Sequence, residues 1–365
     1  MLDITVERKH IEEIDAKMAA LFEERMHCAE MIGKYKIENG LKVYDPVRER
    51  ELLEKNGKLI EDLTLRPYYL QFMQNVMDIS KRYQHKLMEG ANIAYSGIEG
   101  SFASIAVDRV FPDGNKVSFG SFREAYKAVV TGDCDAAVLP IENSSAGEVG
   151  QVMDLMYEGD LYINGVYALK ISQNLLGIKG TKITDIKTVI SHPQALEQCS
   201  EYISDHGFKI EQASNTARAA KEVADRKDPG IAAIASKETA ELYGLSILDH
   251  DINESSVNTT RFAVFSKSRE SIVSNERLSS YILMFTVKNE AGGLADAIAV
   301  IGKHGYSMRV LRSRPVKNTA WQYYFYVEVE GKLSSKEGEE MLKDLDRHCM
   351  ALKVLGSYAI DSEIL

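Results

Sequence analysis

The chain has 365 residues, 45% of them hydrophobic and 27% charged, with a formal net charge of −10 at pH 7. That length exceeds one ordinary core, so two or three domains are expected. The acidic balance argues against nucleic acid as the main partner, because little would neutralise its phosphates. The cysteines Cys28, Cys134, Cys199 and Cys349 are scattered, with no Cys-x-x-Cys pair and no histidines at ligand spacing. They read as reduced thiols in a cytoplasmic protein, with neither a disulfide frame nor a metal site. No apolar signal core opens the sequence and no apolar run reaches about 18 residues, so no membrane partner is expected.

Residues 5–38 carry one long helical pattern, with Ile11, Ile14, Met18, Leu21 and Phe22 at three- and four-residue steps. Such a helix is about 50 Å long and has to pack along a partner helix, which another subunit could supply. Arg25 and Lys36 lie within roughly 20° on its wheel, whereas Arg8 points roughly 100° away from Arg25. Asp45-Pro46 opens a second helix with Arg48 and Glu49 in its first turn. Pro67 opens a third, whose inner stripe of Tyr69, Phe72, Met73, Val76 and Met77 continues through Ser80 and Gln84 to Leu87. Polar residues on that stripe need partners. They can form a network that fixes helix register, or line a water-poor pocket with Arg25, Lys36, Arg48 and Glu49 that suits a small dicarboxylate.

This residue set, Arg8, Arg25, Lys36, Asp45-x-x-Arg48-Glu49 and Ser80-x-x-x-Gln84, resembles the all-helical chorismate mutases over about 85 residues. The resemblance implies the rearrangement of chorismate to prephenate, without cofactor or covalent step. It implies that Arg8 of another subunit, Arg25 and Arg48 hold the two carboxylates, with help from Ser80. Lys36 and Gln84 would face the ether oxygen, and Glu49, near Asp45, would accept from the substrate hydroxyl. In a unimolecular reaction the protein holds the compact conformer and stabilises charge on that oxygen.

From residue 91 strands and helices alternate. Asn92–Tyr95 reads as a strand, followed by a glycine-bearing turn without Gly-x-Gly-x-x-Gly, so no dinucleotide fingerprint is present. Ser121-Phe122-Arg123-Glu124 is a capping box for a helix stopping at Gly132. Strand 136–141 runs into Glu142-Asn143-Ser144-Ser145, and strand 188–190 into Ser191-His192-Pro193-Gln194, with Gln198 on the next helix. Thr216 stands at the start of helix 217–224, where it could serve only as a cap, and His192 could be only a turn residue. Strand 262–265 follows Asn258, Thr259, Thr260 and Arg261, a row that suits a small anion or simply caps the strand. The pattern suggests two lobes with a cleft, lined by hydroxyls, amides and helix N-termini.

Glu-Asn-Ser, Ser-His-Pro-Gln-x-x-x-Gln, Asn-Thr-Ala-x-Ala-Ala and Thr-Arg-Phe, in that order over about 175 residues, are similar to prephenate dehydratase. The resemblance implies a periplasmic-binding-protein-like fold and loss of water and carbon dioxide from prephenate to give phenylpyruvate. Thr260 would be the main catalytic residue, donating to the departing hydroxyl. Arg261, Asn143, Ser144, Ser191, Gln198 and Thr216 would position carboxylates and hydroxyl.

Residues 279–361 read as βαββαβ, a ferredoxin-like order whose sheet keeps one face free of helices and often pairs. Ser334-Ser335-Lys336-Glu337 reads as a capping box for the second helix. This segment resembles an ACT regulatory domain through Gly292-Gly293-Leu294 and Arg312-Ser313-Arg314-Pro315, where Arg312 replaces the usual acid. The resemblance implies an effector site for L-phenylalanine that includes Gly292, Gly293, Leu294 and Ser313. A three-domain enzyme is therefore expected: helical residues 1–89, α/β residues 91–268 and α+β residues 279–361, assembled as homodimer or homotetramer. Two alternatives are a mutase joined to a prephenate dehydrogenase, which needs a nicotinamide site, and a non-enzymatic two-lobed amino-acid sensor with a helical dimerisation domain.

Overall fold

A computed structural model describes residues 4–41, 46–255, 257–269, 279–317, 319, 321–331, 333, 335–359 and 363–364. The chain divides into two compact units, residues 1–92 and 93–365. In the first, α1 (Ile4–Glu38) packs on α3 (Arg66–Glu89), which also carries α2 (Pro46–Gly57). α1 runs without a break, as its pattern requires. Its C-terminal half buries Ala29 and Gly33, while Ile11, Leu21 and Phe22 remain exposed. An apolar stripe of that length on a single helix calls for a further helix to cover it.

The second unit begins with one lobe. β1 (Asn92–Ser96), α4 (Phe102–Val110), β2 (Asn115–Phe119), α5 (Phe122–Thr131), β3 (Ala136–Asn143), β4 (Gly147–Glu148), α6 (Gly150–Glu158) and β5 (Tyr162–Lys170) follow in order. Ser121 caps α5 by accepting from the Glu124 amide, Glu124 reaches back to the Gly120 amide, and Gly132 stops the helix at a φ of 90°. The chain then crosses to a second lobe. There the sheet order is β10 (Ser246–Asp249), β6 (Asn174–Gly177), β9 (Ile231–Ala235), β7 (Thr188–Ser191), β8 (Lys209–Gln212). α7 (Pro193–Gln198), α8 (Ser200–Asp205), α9 (Thr216–Arg226) and α10 (Lys237–Tyr243) complete that lobe. It returns through β11 (Thr259–Ser266), which lies antiparallel between β3 and β5. The central two-lobed α/β arrangement is thus present.

Residues 279–359 supply β12 (Ser279–Thr286), α11 (Gly293–Lys303), β13 (Ser307–Pro315), β14 (Tyr323–Glu330), α12 (Lys336–His348) and β15 (Ala351–Ala359). Ser335 caps α12 by accepting from the Gly338 amide, whereas Ser334 lies outside the described residues. Their strands join the first lobe in one sheet, β13-β14-β12-β15-β5-β11-β3-β1-β2. The join is at Gly356, opposite Ile163. Its φ is 154°, and a Cβ there would collide with the Ile163 carbonyl oxygen, so only glycine lets β15 approach β5.

One expectation for this segment changes. The sheet face expected to be bare of helices carries α6. Ile282, Met284, Tyr324 and Tyr326 share a core with Val152, Met153 and Met156, and Tyr157 stacks on Tyr324 at 4.4 Å. Alternation along each strand sends one apolar set to α11 and α12 and the other to α6, so both faces are buried. Asp154 anchors this interface, accepting from Arg314 Nε at 3.1 Å, the Tyr324 hydroxyl at 2.8 Å and Lys317 Nζ at 2.9 Å. Burial alone would raise the Asp154 pKa, but these donors outweigh it and hold the carboxyl below its ordinary range.

Two consequences are measurable. Phe265 is fully buried and packs edge-on against Tyr126 at 5.7 Å, so Phe265→Ala should cost about 3–5 kcal/mol of stability by denaturant unfolding. A carboxyl with a lowered folded pKa contributes stability above its unfolded pKa and loses it as pH falls through the folded value. Asp154→Asn should therefore weaken the second unit near neutral pH and flatten its loss of stability between about pH 5 and about pH 2, followed by unfolding at each pH.

Candidate active sites

In the helical unit, α1 brings Arg25 and Lys36 against α3. Arg25 Nη1 donates to Ser80 Oγ and, at 3.5 Å, to the Val76 carbonyl, and Lys36 Nζ donates to Gln84 Oε1 at 3.4 Å. Ser80 and Gln84 are both buried. Burial pushes the Arg25 pKa down. Gly33 explains the close approach of α1: a Cβ there would sit 3.3 Å from Gln84 Cγ. From α2, Glu49 takes an ion pair from Lys81 at 2.8 Å. Lys81 has no role in the sequence pattern; its place beside Ser80 on the amphipathic α3 was the available signal. Arg48 is exposed and meets Glu51 at 3.3 Å. Arg8 is exposed on α1, about 25 Å along the helix from Arg25, so one chain does not bring it into this groove. Asp45 lies outside the described residues.

The α/β lobes gather a second set around the end of β3. Asn143 Nδ2 donates to Asn258 Oδ1 at 2.8 Å and to Thr260 Oγ1 at 3.0 Å, while its Oδ1 accepts from the Ser145 and Ala146 amides. Asn258 Nδ2 donates to Gln198 Oε1 at 3.0 Å, which carries the chain of amides to α7 in the second lobe. Asn258 is 1% exposed. In the sequence it is one polar head in a row of four; the fold makes it the bridge between lobes. Its spacing of two from Thr260 puts both on one side of the extended segment. Ser144 lashes the strand ends together, accepting from the Thr259 amide at 3.0 Å and donating to the Val257 carbonyl at 3.2 Å. A bulge at Ile141, where Arg261 faces Glu142 but Phe262 faces Pro140, sets the aim of these ends.

Other expected residues take other places. Ser191 is fully buried, and its hydroxyl donates to the Ile234 carbonyl at 2.6 Å. Thr216 is buried at the start of α9, and Asn215 rather than Thr216 caps that helix, accepting from the Arg218 amide at 2.7 Å. His192 caps α7, and burial lowers its pKa, which favours the neutral ring. Arg261 turns to the sheet face opposite Thr260, onto Glu142 at 3.0 Å and Glu328 at 2.9 Å. A cavity of about 250 Å³ is lined by Ser145, Gln194, Gln198 and Asn258 among others; a second of about 350 Å³ lies beside Phe102, Asn174, Ser236 and Lys237. In the C-terminal segment, Gly292 precedes α11 with a φ of 91°, and a Cβ at Gly293 would sit 2.6 Å from the Lys288 carbonyl. Leu294 packs on the core under α11, and Ser313 is exposed on β13, the edge strand of the sheet.

The comparisons with known proteins cover both sites. A model described as chorismate mutase type II matches residues 7–85, and one described as prephenate dehydratase matches residues 93–270. The bifunctional chorismate mutase/prephenate dehydratase of Escherichia coli (strain K12) is 32% identical over 372 residues, covering 98% of this chain and 96% of that protein. The chain belongs to this bifunctional family. The solved prephenate dehydratase of Arthrobacter aurescens, in complex with L-Phe, is 26% identical and aligns with a TM-score of 0.69 over 75% of this chain and 92% of its own. A solved quorum-quenching acylase, GqqA, is 28% identical with a TM-score of 0.68 over 73% of this chain and 97% of its own. One fold thus serves more than one chemistry, so function is argued from the residues at the site.

Among the residues of this family member, Asn258 offers the sharpest check. Asn258→Ala cuts the link between Gln198 and Asn143, and phenylpyruvate formation from prephenate should fall by about tenfold or more. The rearrangement of chorismate by the same preparation should not change.

Proposed function

We infer that the chain catalyses two consecutive reactions, the rearrangement of chorismate to prephenate and the decarboxylating dehydration of prephenate to phenylpyruvate. The observation that carries the second reaction is the bond from Asn143 Nδ2 to Thr260 Oγ1. A hydroxyl oxygen that accepts there keeps its own proton for another acceptor. We assign that acceptor as the ring hydroxyl of prephenate. As carbon dioxide leaves, the electrons of its bond enter the ring, the hydroxyl departs, and the ring becomes aromatic. Threonine is far too weak an acid to transfer its proton outright at neutral pH. Its contribution is a hydrogen bond that strengthens as charge grows on the leaving oxygen. Gln198 and Asn258 border the cavity beside this network and would orient the substrate.

For the first reaction, Lys36 and Gln84 supply donors for the ether oxygen as its carbon–oxygen bond breaks, and Arg25 with Ser80 supplies a carboxylate site. The Lys36–Gln84 bond, at 3.4 Å, sets both groups side by side against α3. The exposed stripe of α1 supports a second copy that covers it and contributes Arg8, in a homodimer or homotetramer. We assign residues 279–361 as a ferredoxin-like ACT domain with L-phenylalanine as effector at Gly292, Gly293, Leu294 and Ser313. The left-handed backbone at Gly292, whose Cβ position meets only an Asp296 carboxylate oxygen at 3.7 Å, supports close approach of a ligand to backbone.

Purified protein should form phenylpyruvate from chorismate and from prephenate, less of it when phenylalanine is present. Thr260→Val should lower dehydration by at least about 100-fold with the rearrangement intact, and Lys36→Ala should do the reverse. Parallel loss of both activities in folded protein would refute two separate sites. A pure amino-acid sensor would form no product and would keep its ligand response after Thr260→Val.

A further inference from the structure

Arg261 follows Thr260 in β11 and points to the opposite side of the sheet. There Nη1 and Nη2 donate to Glu328 Oε1 and Oε2, each at 2.9 Å, a bidentate pair. Glu328 belongs to β14 of the C-terminal segment and is 1% exposed. Its Oε1 also accepts from the Tyr326 hydroxyl at 2.5 Å, and its Oε2 from the Tyr358 hydroxyl. Arg261 Nη2 donates to Tyr358 at 2.7 Å, and Nη1 reaches Glu142 Oε2 at 3.0 Å. Glu142 directly precedes Asn143 and is also held by Arg312 of β13.

Burial alone would raise the Glu328 pKa; the guanidinium and the two phenols outweigh it and keep the carboxyl ionised. A buried ion pair of this kind is weak as a stabilising device, because apolar side chains of similar volume often do as well. What it supplies is position: two parallel bonds fix the guanidinium, and the guanidinium fixes the strand ends on either side of it.

We propose that Glu328 is a positioning residue for prephenate dehydration. Through Arg261 and Glu142 it holds the ends of β11 and β3 that carry Thr260 and Asn143, and it is the point where the C-terminal domain acts on the dehydration site. This rests on the dehydratase reading above.

The test uses the full chain with Glu328→Gln, and Tyr358→Phe as a milder variant that keeps the carboxylate. Glu328→Gln should lower kcat for prephenate by about tenfold or more, with KM within about twofold and an unchanged rate of chorismate rearrangement. Hydrogen exchange at the Ser144 and Thr259 amides, which bond across the two strand ends, should quicken by about tenfold while Leu283 and Phe285 stay protected. Tyr358→Phe should move both readouts in the same direction by less, and it decides the matter if Glu328→Gln does not fold. A lower melting temperature with unchanged kcat and unchanged exchange at Ser144 and Thr259 would overturn the proposal. If the unsubstituted protein forms no phenylpyruvate, the dehydratase reading fails; exchange in the variant still reads whether Glu328 holds the strand ends.

Discussion

β11 lies between β3 and β5, and the rest of the second unit depends on that pairing. A strand presents successive side chains to opposite faces. Thr260 therefore meets Asn143 and the two-lobed cleft, while Arg261 meets Glu328 and the C-terminal sheet. One step along the backbone separates the group assigned to chemistry from the group that ties the domains together. The same strand returns the chain from the second lobe, so the lobes, the candidate site and the C-terminal segment all converge on residues 258–262.

Electrostatics follow the same plan. Three half-buried arginines of the second unit lie at the junction between the α/β lobes and the C-terminal segment. Arg261, Arg312 and Arg314 answer Glu142, Glu148, Asp154 and Glu328. The site around Thr260 is instead built from neutral amides and hydroxyls. Neutral donors give hydrogen bonds without a fixed charge, which suits a step in which charge appears on a leaving oxygen. The helical unit uses the opposite material, two cations packed against a buried hydroxyl and a buried amide, which suits an anionic substrate.

Arg312 stands where the resembled motif has an acid, and the fold gives it an evident partner in Glu142. The substitution places a cation against a carboxylate that already receives Arg261. It thus joins β13 of the C-terminal segment to β3, the strand that carries Asn143. The pairing of Arg312 with Glu142 is not legible in the sequence, because 170 positions separate them.

The order of elements, the helix cap at Ser121, the split into helical and α/β parts, and the set Arg25, Lys36, Ser80 and Gln84 follow from local pattern alone. Helical period and capping chemistry act over a few residues, so they are legible in a single chain. Four things were decided only by tertiary structure: the bridging role of Asn258, the turning of Arg261 to Glu328, the closure of Ser191 onto a backbone carbonyl, and the burial of the C-terminal sheet's second face under α6. Each depends on which strands pair and in which register. A register shift of one residue would exchange Thr260 and Arg261 between faces. No local propensity carries that information, because it resides in contacts between residues more than 40 positions apart.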